Sequence, residues 1–359
     1  MKLLLLSLST GSGHVRAAEA IRNTAKKEYP DIDIKHIDIF DYISLPFKKA
    51  TVDGYDLIIK QAPEIWRFLY KRSNDEDLLH KLNKFTKRLK KLNAKKLYKY
   101  IIEYNPDYII STHLLSSDLV MSGQDEFSKN IPLATLVTDY RWHELWFVEG
   151  TNRYFIPTEE MRKELLNRGI SPKSITVSGI PVDPNFYNDT KFINNKIPHI
   201  LVMSGGQGLG RSDKIVKILF EINYPISITV IAGKNNKLEK SIRSIVVPNH
   251  VKLNVYGWVD NIDEYMRKSD VIISKPGGLT TTECMILKKP LIAVNPIPGQ
   301  EEANARYIVD NNAGLIPTDE KDLLKCVKKI LDHPKDYKGI NFEKSAGSII
   351  LETIKKEML

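Results

Sequence analysis

Ser274-Lys-Pro-Gly-Gly-Leu-Thr-Thr-Thr-Glu-Cys284 is the stretch that decides how this chain folds. The apolar run 271–273 ahead of it reads as a buried strand. Pro276, Gly277 and Gly278 then turn the backbone sharply. A helix follows at once, with Leu279 and Thr280 near its start and Glu283 one turn in. Such a turn leaves N–H groups at a helix N-terminus, which is a ready anion site. Two neighbouring glycines let a phosphate approach without a Cβ in the way. Glu283 sits too deep for an N-cap, so its carboxylate is left for another partner. Two adjacent sugar hydroxyls suit it, because a carboxylate can accept from both. The stretch continues in Pro296-Ile-Pro-Gly-Gln-Glu-Glu-Ala-Asn304.

The same strand–turn–helix pattern recurs on both sides of that stretch. Residues 200–203 read as a strand, Ser204-Gly-Gly-Gln-Gly-Leu-Gly210 as a glycine loop, and 212–222 as a helix. So many glycines suit a backbone nest for a phosphate. Strands at 226–232, 251–256 and 291–294 alternate with helices, and helices at 319–331 and 343–356 close the chain. At the front, the apolar run 3–8 leads into Ser9-Thr-Gly-Ser-Gly-His14 and a helix through Ala17, Ala18, Ile21 and Ala25. Strands follow at 32–39, 108–111, 133–137, 154–157 and 175–177. Together these predict an α/β protein of two doubly wound, Rossmann-like domains. The expected bounds are 1–184 for the first domain, a polar, Asn-rich linker at 185–198, and 199–342 for the second. The closing helix at 343–359 can pack back on the first. Two such domains imply a cleft that the strand carboxyl ends face, where ligands belong.

The first glycine turn is not the dinucleotide fingerprint, because no third glycine falls in place. His14 ends that turn. It is either a helix-start residue with a local hydrogen bond or a general base at a strand carboxyl end. Thr112-His113 and Thr138-Asp139 end two further strands, beside His14 if the sheet is parallel. Asp139 precedes Tyr140, Trp142, His143 and Trp146. That cluster could orient a base or stack on a sugar face; the alternative is a packed loop with a capping Asp.

With 359 residues, 42% hydrophobic and 27% charged, the chain has ample material for two cores. A net charge of +9 suits an acidic partner. Cys284 and Cys326 show no paired spacing, which argues against a disulfide framework or zinc site and fits a reducing cytosol. The apolar run after Lys2 is too short for a signal peptide. No stretch approaches the roughly 20 apolar residues of a membrane-spanning helix, so any membrane contact is peripheral. Between Lys81 and Lys99 every charged residue is basic, Lys84, Arg88 and Lys91 among them. Leu78, Leu82, Phe85, Leu89 and Leu92 recur at three- and four-residue steps. The segment is either a core-facing helix with a solvated basic face or a face held against anionic lipid headgroups, with Trp66 nearby as an interfacial contact. No nucleic-acid motif is present.

On Gly11-Ser-Gly-His14, Thr138-Asp139 with His143 and Trp146, Ser178-Gly-Ile-Pro181, Gly205-Gly-Gln-Gly208, the 275–283 stretch and Pro298-Gly-Gln-Glu-Glu-Ala-Asn304, the chain resembles the nucleotide-sugar glycosyltransferases of the GT-B fold. Within them it looks most like the diacylglycerol glycosyltransferases and monogalactosyldiacylglycerol synthases. The N-acetylglucosaminyltransferase of peptidoglycan synthesis is a more distant relative. The resemblance implies that the second domain holds a UDP-sugar. Ser204, Gly205, Gly206, Gln207 and Gly208, with the turn from Lys275 and Pro276 through Gly277 and Gly278 to Leu279 and Thr280, would cradle the pyrophosphate. Glu283 would bind the ribose, Gln300 and Glu301 the hexose hydroxyls, and Asn304 would stand near the sugar. Gly13, His143 and Trp146 would lie on the acceptor side, with diacylglycerol as acceptor. Transfer would invert the anomeric carbon, with His14 or Asp139 as base. No Asp-x-Asp stands in a metal-ready loop, so no metal is required. Glu301 stands where some peptidoglycan-type relatives carry an amide, which favours a hexose with free hydroxyls. The implied location is cytoplasmic, peripheral on the inner face of the membrane. A polyprenyl-linked acceptor, a nucleotide-sugar epimerase and a non-catalytic nucleotide-sugar binder are the rival readings.

Overall fold

The computed structural model describes residues 1–9, 11–51, 87–188, 196–206, 208, 211–337 and 339–358. They form two units, 1–184 with 344–359, and 185–343. Each unit is built on one six-stranded parallel sheet.

In the first unit, β1 (Lys2–Ser7), β2 (Asp33–Asp38), β3 (Tyr108–Ser111), β4 (Leu133–Leu136), β5 (Arg153–Ile156) and β6 (Ile175–Val177) lie in the order β2-β1-β3-β4-β5-β6. Leu3, Leu4, Leu5 and Leu6 are all fully buried, as a central parallel strand covered on both faces requires. The chain leaves β1 in one direction for β2 and returns on its other side for β3. The carboxyl ends of β1 and β3 therefore flank a topological switch point, where open parallel sheets form crevices. Register pairs Leu6 with Ser111 at that edge.

The second unit has β7 (His199–Met203), β8 (Ile226–Ile231), β9 (Val251–Tyr256), β10 (Val271–Ser274), β11 (Leu291–Ala293) and β12 (Gly314–Leu315), in the order β12-β11-β10-β7-β8-β9. Its switch point lies between β7 and β10, with Met203 beside Ser274. The glycine loop after β7 and the turn after β10 are therefore neighbours. β12 has two residues, too short to leave a periodic signal in the sequence. Residues 185–188 and 196–198, where the sequence suggests a linker, belong to the second unit, and the Arg267 guanidinium donates to the Asn185 carbonyl.

The last helix (Ala346–Glu357) packs on the first (Ser12–Glu28) within the first unit. Ser348 Oγ donates to the Glu28 carboxylate at 2.7 Å, and the Tyr108 hydroxyl donates to Glu357 at 3.0 Å. The two helices meet where Gly347 faces Thr24: a Cβ on Gly347 would lie 2.5 Å from Thr24 Oγ1. Among the described residues no helix is long and apolar enough to cross a membrane.

At an exposed helix position Gly347→Ala would stabilise. Here it should destabilise by about 1–3 kcal/mol, because Thr24 is buried and has no room to give. Adding Thr24→Ala should recover part of that loss. Denaturant unfolding of the single and double variants measures both, and additivity of the two effects would contradict the contact.

Candidate active site

In the first unit the site is built around His14. Gly11 serves as extended N-cap of the first helix, and His14 sits in its first turn. Ideal Cβ atoms at Gly11 and Gly13 would meet nothing within 4 Å, so the turn borders open space. The helix start carries His14 across the switch point to the end of β3. There Nδ1 lies 2.6 Å from the Thr112 carbonyl oxygen. A carbonyl can only accept, so Nδ1 carries the proton. Thr138 Oγ1, just past β4, is 3.2 Å from the same nitrogen. Thr112 Oγ1 in turn donates to the His14 carbonyl at 2.9 Å. In the neutral ring Nε2 is then the unprotonated nitrogen, the form a general base needs. Desolvation pushes the His14 pKa down to about 4, and the Thr112 carbonyl opposes that shift only in part. The imidazole is therefore neutral at pH 7.

His113 packs edge-on against His14, with ring centroids 4.6 Å apart and planes at 83°. Trp146 lies 6.3 Å away on the same ring. Asp139 is buried one residue beyond Thr138. His143 is buried as N-cap of the turn Glu144–Trp146, its Nδ1 accepting from the Leu145 N–H at 3.1 Å.

In the second unit the candidate groups stand on the two turns at the β7/β10 switch point. Ser204 N–H donates to the Ile231 carbonyl, and Ser274 Oγ donates to the Met203 carbonyl at 3.2 Å. The glycine loop rests on the turn after β8. Lys234 N–H donates to the Gly206 carbonyl at 3.1 Å, and Asn235 Nδ2 to the Gly208 carbonyl at 2.9 Å. Gly208 has φ +63°, and a Cβ there would lie 2.4 Å from the Ala232 carbonyl oxygen, so a side chain is excluded twice over. After β10, the helix Gly278–Ile286 starts from Gly277, whose Cβ position is open space. Open backbone N–H groups at that start suit a phosphate.

Pro276, Leu279 and Glu283 are buried in this unit, and Thr280 keeps partial exposure. Asn304 is buried on the next helix, Gln300–Asp310, which packs on the Gly278–Ile286 helix. Gln300 and Glu301 open that helix and are partly exposed. Glu301 is held from two sides: Lys275 Nζ is 3.2 Å from its carboxylate, and the Ile297 N–H donates to it at 2.7 Å. Glu302 caps the helix start by accepting from the Gly299 N–H at 3.0 Å. Lys275 is therefore not a spare cation: it sits between the phosphate turn and the acid expected to touch the hexose.

Several placements differ from the sequence reading. Lys91 was expected to face anionic headgroups, yet its ammonium pairs with Asp125 and Glu126. Its neighbour Lys90 pairs with Asp118 at 2.5 Å. The acids come from the segment after β3, which local charge counting could not see. The leucines of the same turn, Leu89 and Leu92, are 52% and 56% exposed, so this end of the helix turns its apolar side outward and part of its basic side inward. Arg88 is exposed. Trp146 and His143, offered on the acceptor side, are each 4% exposed, and the Trp146 ring lies 6.3 Å from that of His14. Trp66, Lys84 and Gln207 lie outside the described residues.

Sequence reasoning missed the Thr112 main-chain carbonyl, which has no side-chain signature, and the supporting turn Gly233–Asn235. It also missed Trp258, just past β9, whose ring lies 5.0 Å from Lys234 Nζ. A Gly-Trp pair ending a strand was the available signal.

Comparison with known proteins adds to this geometry. Residues 14–182 match the family model described as monogalactosyldiacylglycerol (MGDG) synthase, and residues 199–356 match the glycosyltransferase family 28 C-terminal domain. The chain is 27% identical over 378 residues to the processive diacylglycerol beta-glucosyltransferase of Bacillus pumilus, covering 100% of this chain and 96% of that one. It is 28% identical over 347 residues to the Staphylococcus aureus protein of the same name, covering 92% and 84%. Among solved structures, MurG of Acinetobacter baumannii superposes with a TM-score of 0.64 at 13% identity, covering 99% of both chains. That likeness shows the α/β two-domain fold of the GT-B class.

The titration of His14 and of His36, which is likewise lowered to about 4 by burial, sets a stability prediction. Between the ordinary value near 6.5 and about 4, the unfolded chain binds protons that these folded rings refuse. Their contribution should be complete above pH 6.5 and fall as pH drops toward 4. Denaturant titrations across that range measure it. In a His14→Gln/His36→Gln variant the slope should be shallower, and an unchanged slope would remove these two rings as its source.

Proposed function

We propose, from the premise that the chain belongs to the GT-B glycosyltransferases of the diacylglycerol glycosyltransferase and monogalactosyldiacylglycerol synthase family, that it transfers a hexose from a UDP-hexose to the hydroxyl of diacylglycerol. The observation that carries this reading is the conjunction of a full-length similarity to proteins named for that reaction with a histidine held in the base-competent tautomer. Relatives that align over the whole chain are named for glucose, and the front-half model is named for galactose. These names support glucose or galactose as the hexose in this reading.

In this reading the turn 275–280 and the loop 204–208 receive the diphosphate, whose charge grows as the glycosidic bond breaks. Backbone N–H groups fixed in advance stabilise that charge without reorganising. Glu283 takes the ribose hydroxyls, Gln300 and Glu301 those of the hexose, and Asn304 supports them. His14 Nε2 removes the acceptor proton as the hydroxyl oxygen attacks the anomeric carbon from the side opposite the leaving UDP, so the configuration inverts. The proton passes to Nε2, the oxygen–carbon bond forms and the carbon–phosphate oxygen bond breaks with its electron pair going to UDP. Asp139, buried beside Thr138, helps to hold this half in place. The acceptor is a membrane lipid, so the protein works peripherally at the cytoplasmic leaflet. Lys87, Arg88, Leu89 and Leu92 are described, exposed groups that suit contact with it.

Protein incubated with labelled UDP-hexoses and diacylglycerol vesicles should yield lipid-soluble label. His14→Ala should lower the rate roughly 10²- to 10⁴-fold with UDP affinity unchanged. Absence of lipid-soluble label with every donor would overturn the reading. Label from the N-acetylated donor alone would move the acceptor to a polyprenyl-linked precursor, and conversion of donor with no acceptor present would indicate an epimerase.

The Lys275–Glu301 pair gives a second test. Donor phosphates and Glu301 compete for one ammonium in this arrangement. Glu301→Gln should therefore tighten UDP by about two- to fivefold, the scale of a partly exposed ion pair. The same change should weaken selection for UDP-hexose over UDP. Calorimetry with both ligands decides, and equal UDP affinity in the variant and the parent would remove the competition.

A further inference from the structure

Two adjacent imidazoles in the first unit are fixed by main-chain groups in opposite tautomers. His14 donates from Nδ1 to the Thr112 carbonyl. His113 does the reverse: as N-cap of the helix Leu114–Ser122, its Nδ1 accepts from the Leu115 N–H at 3.1 Å. The neutral His113 ring therefore carries its proton on Nε2. Its backbone is also pinned, since Ser111 Oγ donates to the His113 carbonyl at 2.8 Å. The residue pair Thr112-His113 thus grips His14 twice, by a hydrogen bond to one ring nitrogen and by an edge-on ring contact at 4.6 Å.

We propose that His113 is a positioning residue for His14: its capped ring shields the His14 imidazole from water and holds it neutral, with Nε2 aimed at the acceptor hydroxyl. The inference rests on the reading of His14 as base. A ring in this place can act in two ways. It excludes water from one side of His14, and a charge on either ring would oppose a charge on the other. Both effects run the same way: burial, and then the nearness of His14, hold His113 well below the ordinary histidine value. The other titratable side chains on the segments nearest His14 are Asp139, Tyr140 and Arg141 past β4 and His143 and Glu144 at the turn that carries Trp146; Arg16 and Glu19 lie on its own helix. None of these is among the causes of the His14 shift, which are burial and the Thr112 carbonyl.

Two substitutions separate positioning from simple capping. Asparagine is a good N-cap without a ring, so His113→Asn keeps the helix start and opens the His14 face to water. Phenylalanine keeps a ring and loses the cap, so His113→Phe leaves His14 dry. The readouts are the ring ¹⁵N shifts of His14 through a pH titration, assigned with His14→Gln, and the acid limb of kcat/KM for lipid glycosylation. In His113→Asn the His14 midpoint and the acid limb should both rise by about one unit or more, toward the unperturbed value. In His113→Phe both should stay within a few tenths of the parent, although the protein loses stability. An unmoved His14 midpoint in His113→Asn, or a raised one in His113→Phe, would show that His113 only caps its helix and would overturn the inference. The nuclear resonance result does not depend on turnover. If His14→Ala kept full transferase activity, the assignment of the base would fail while the shielding of the ring stood or fell on the shifts alone.

Discussion

The hydrogen bond from His14 Nδ1 to the Thr112 carbonyl is the contact that orients the histidine at the first unit's switch point. It joins the helix that follows β1 to the end of β3, and it exists because the sheet reverses its order between those strands. One bond settles two things, where the ring points and which nitrogen keeps a lone pair; burial, against the pull of that bond, keeps the imidazole neutral. A histidine in water would share its proton between the two nitrogens and would be partly charged near neutrality. Here main-chain geometry removes that freedom. The side chains of Thr138 and Trp146 and the ring of His113 enclose what the bond has oriented.

The second unit uses the same topological device for different chemistry. Its switch point brings two turns together, and the groups it offers are backbone N–H groups beside positions without side chains. An anion needs donors that approach closely and do not have to reorganise, and a glycine turn at a helix start supplies both. The loop after β7 keeps its shape because the turn after β8 carries it, through Lys234 N–H and Asn235 Nδ2. Lys275 adds a charge beside the turn, and Glu301 holds it at 3.2 Å.

The basic segment shows how composition can mislead about a surface. Counting along the chain finds only positive charge between Lys81 and Lys99. In the fold, Lys90 and Lys91 meet Asp118, Asp125 and Glu126, which come from more than twenty residues away. Ion pairing of this kind spends charge that a membrane contact would need. What the described part of the helix leaves outside is Lys87, Arg88 and two leucines, a mixture of two cations with apolar area.

Much of the fold was legible because parallel strands buried on both faces leave unbroken apolar runs, and because glycine turns mark the strand ends. Leu3–Leu6 and 200–203 needed no partner to be recognised, whereas β12, with two residues, left no pattern to read. The turn after β10 was legible for a similar reason: its glycines, helix start and Glu283 are contiguous in the chain, and local sequence dictates local backbone. The surroundings of His14 were not. His14 could be proposed from its place after a glycine turn, but its tautomer comes from a carbonyl about a hundred residues away, and its neutrality from burial among groups brought in by other strands. Long-range contacts of that sort depend on strand order and register, which sequence periodicity does not encode. The chain's sequence alone therefore specified which chemical groups stand at the strand ends, and the tertiary structure alone decided which of them touch, since burial and the direction of a hydrogen bond exist only once distant strands have paired.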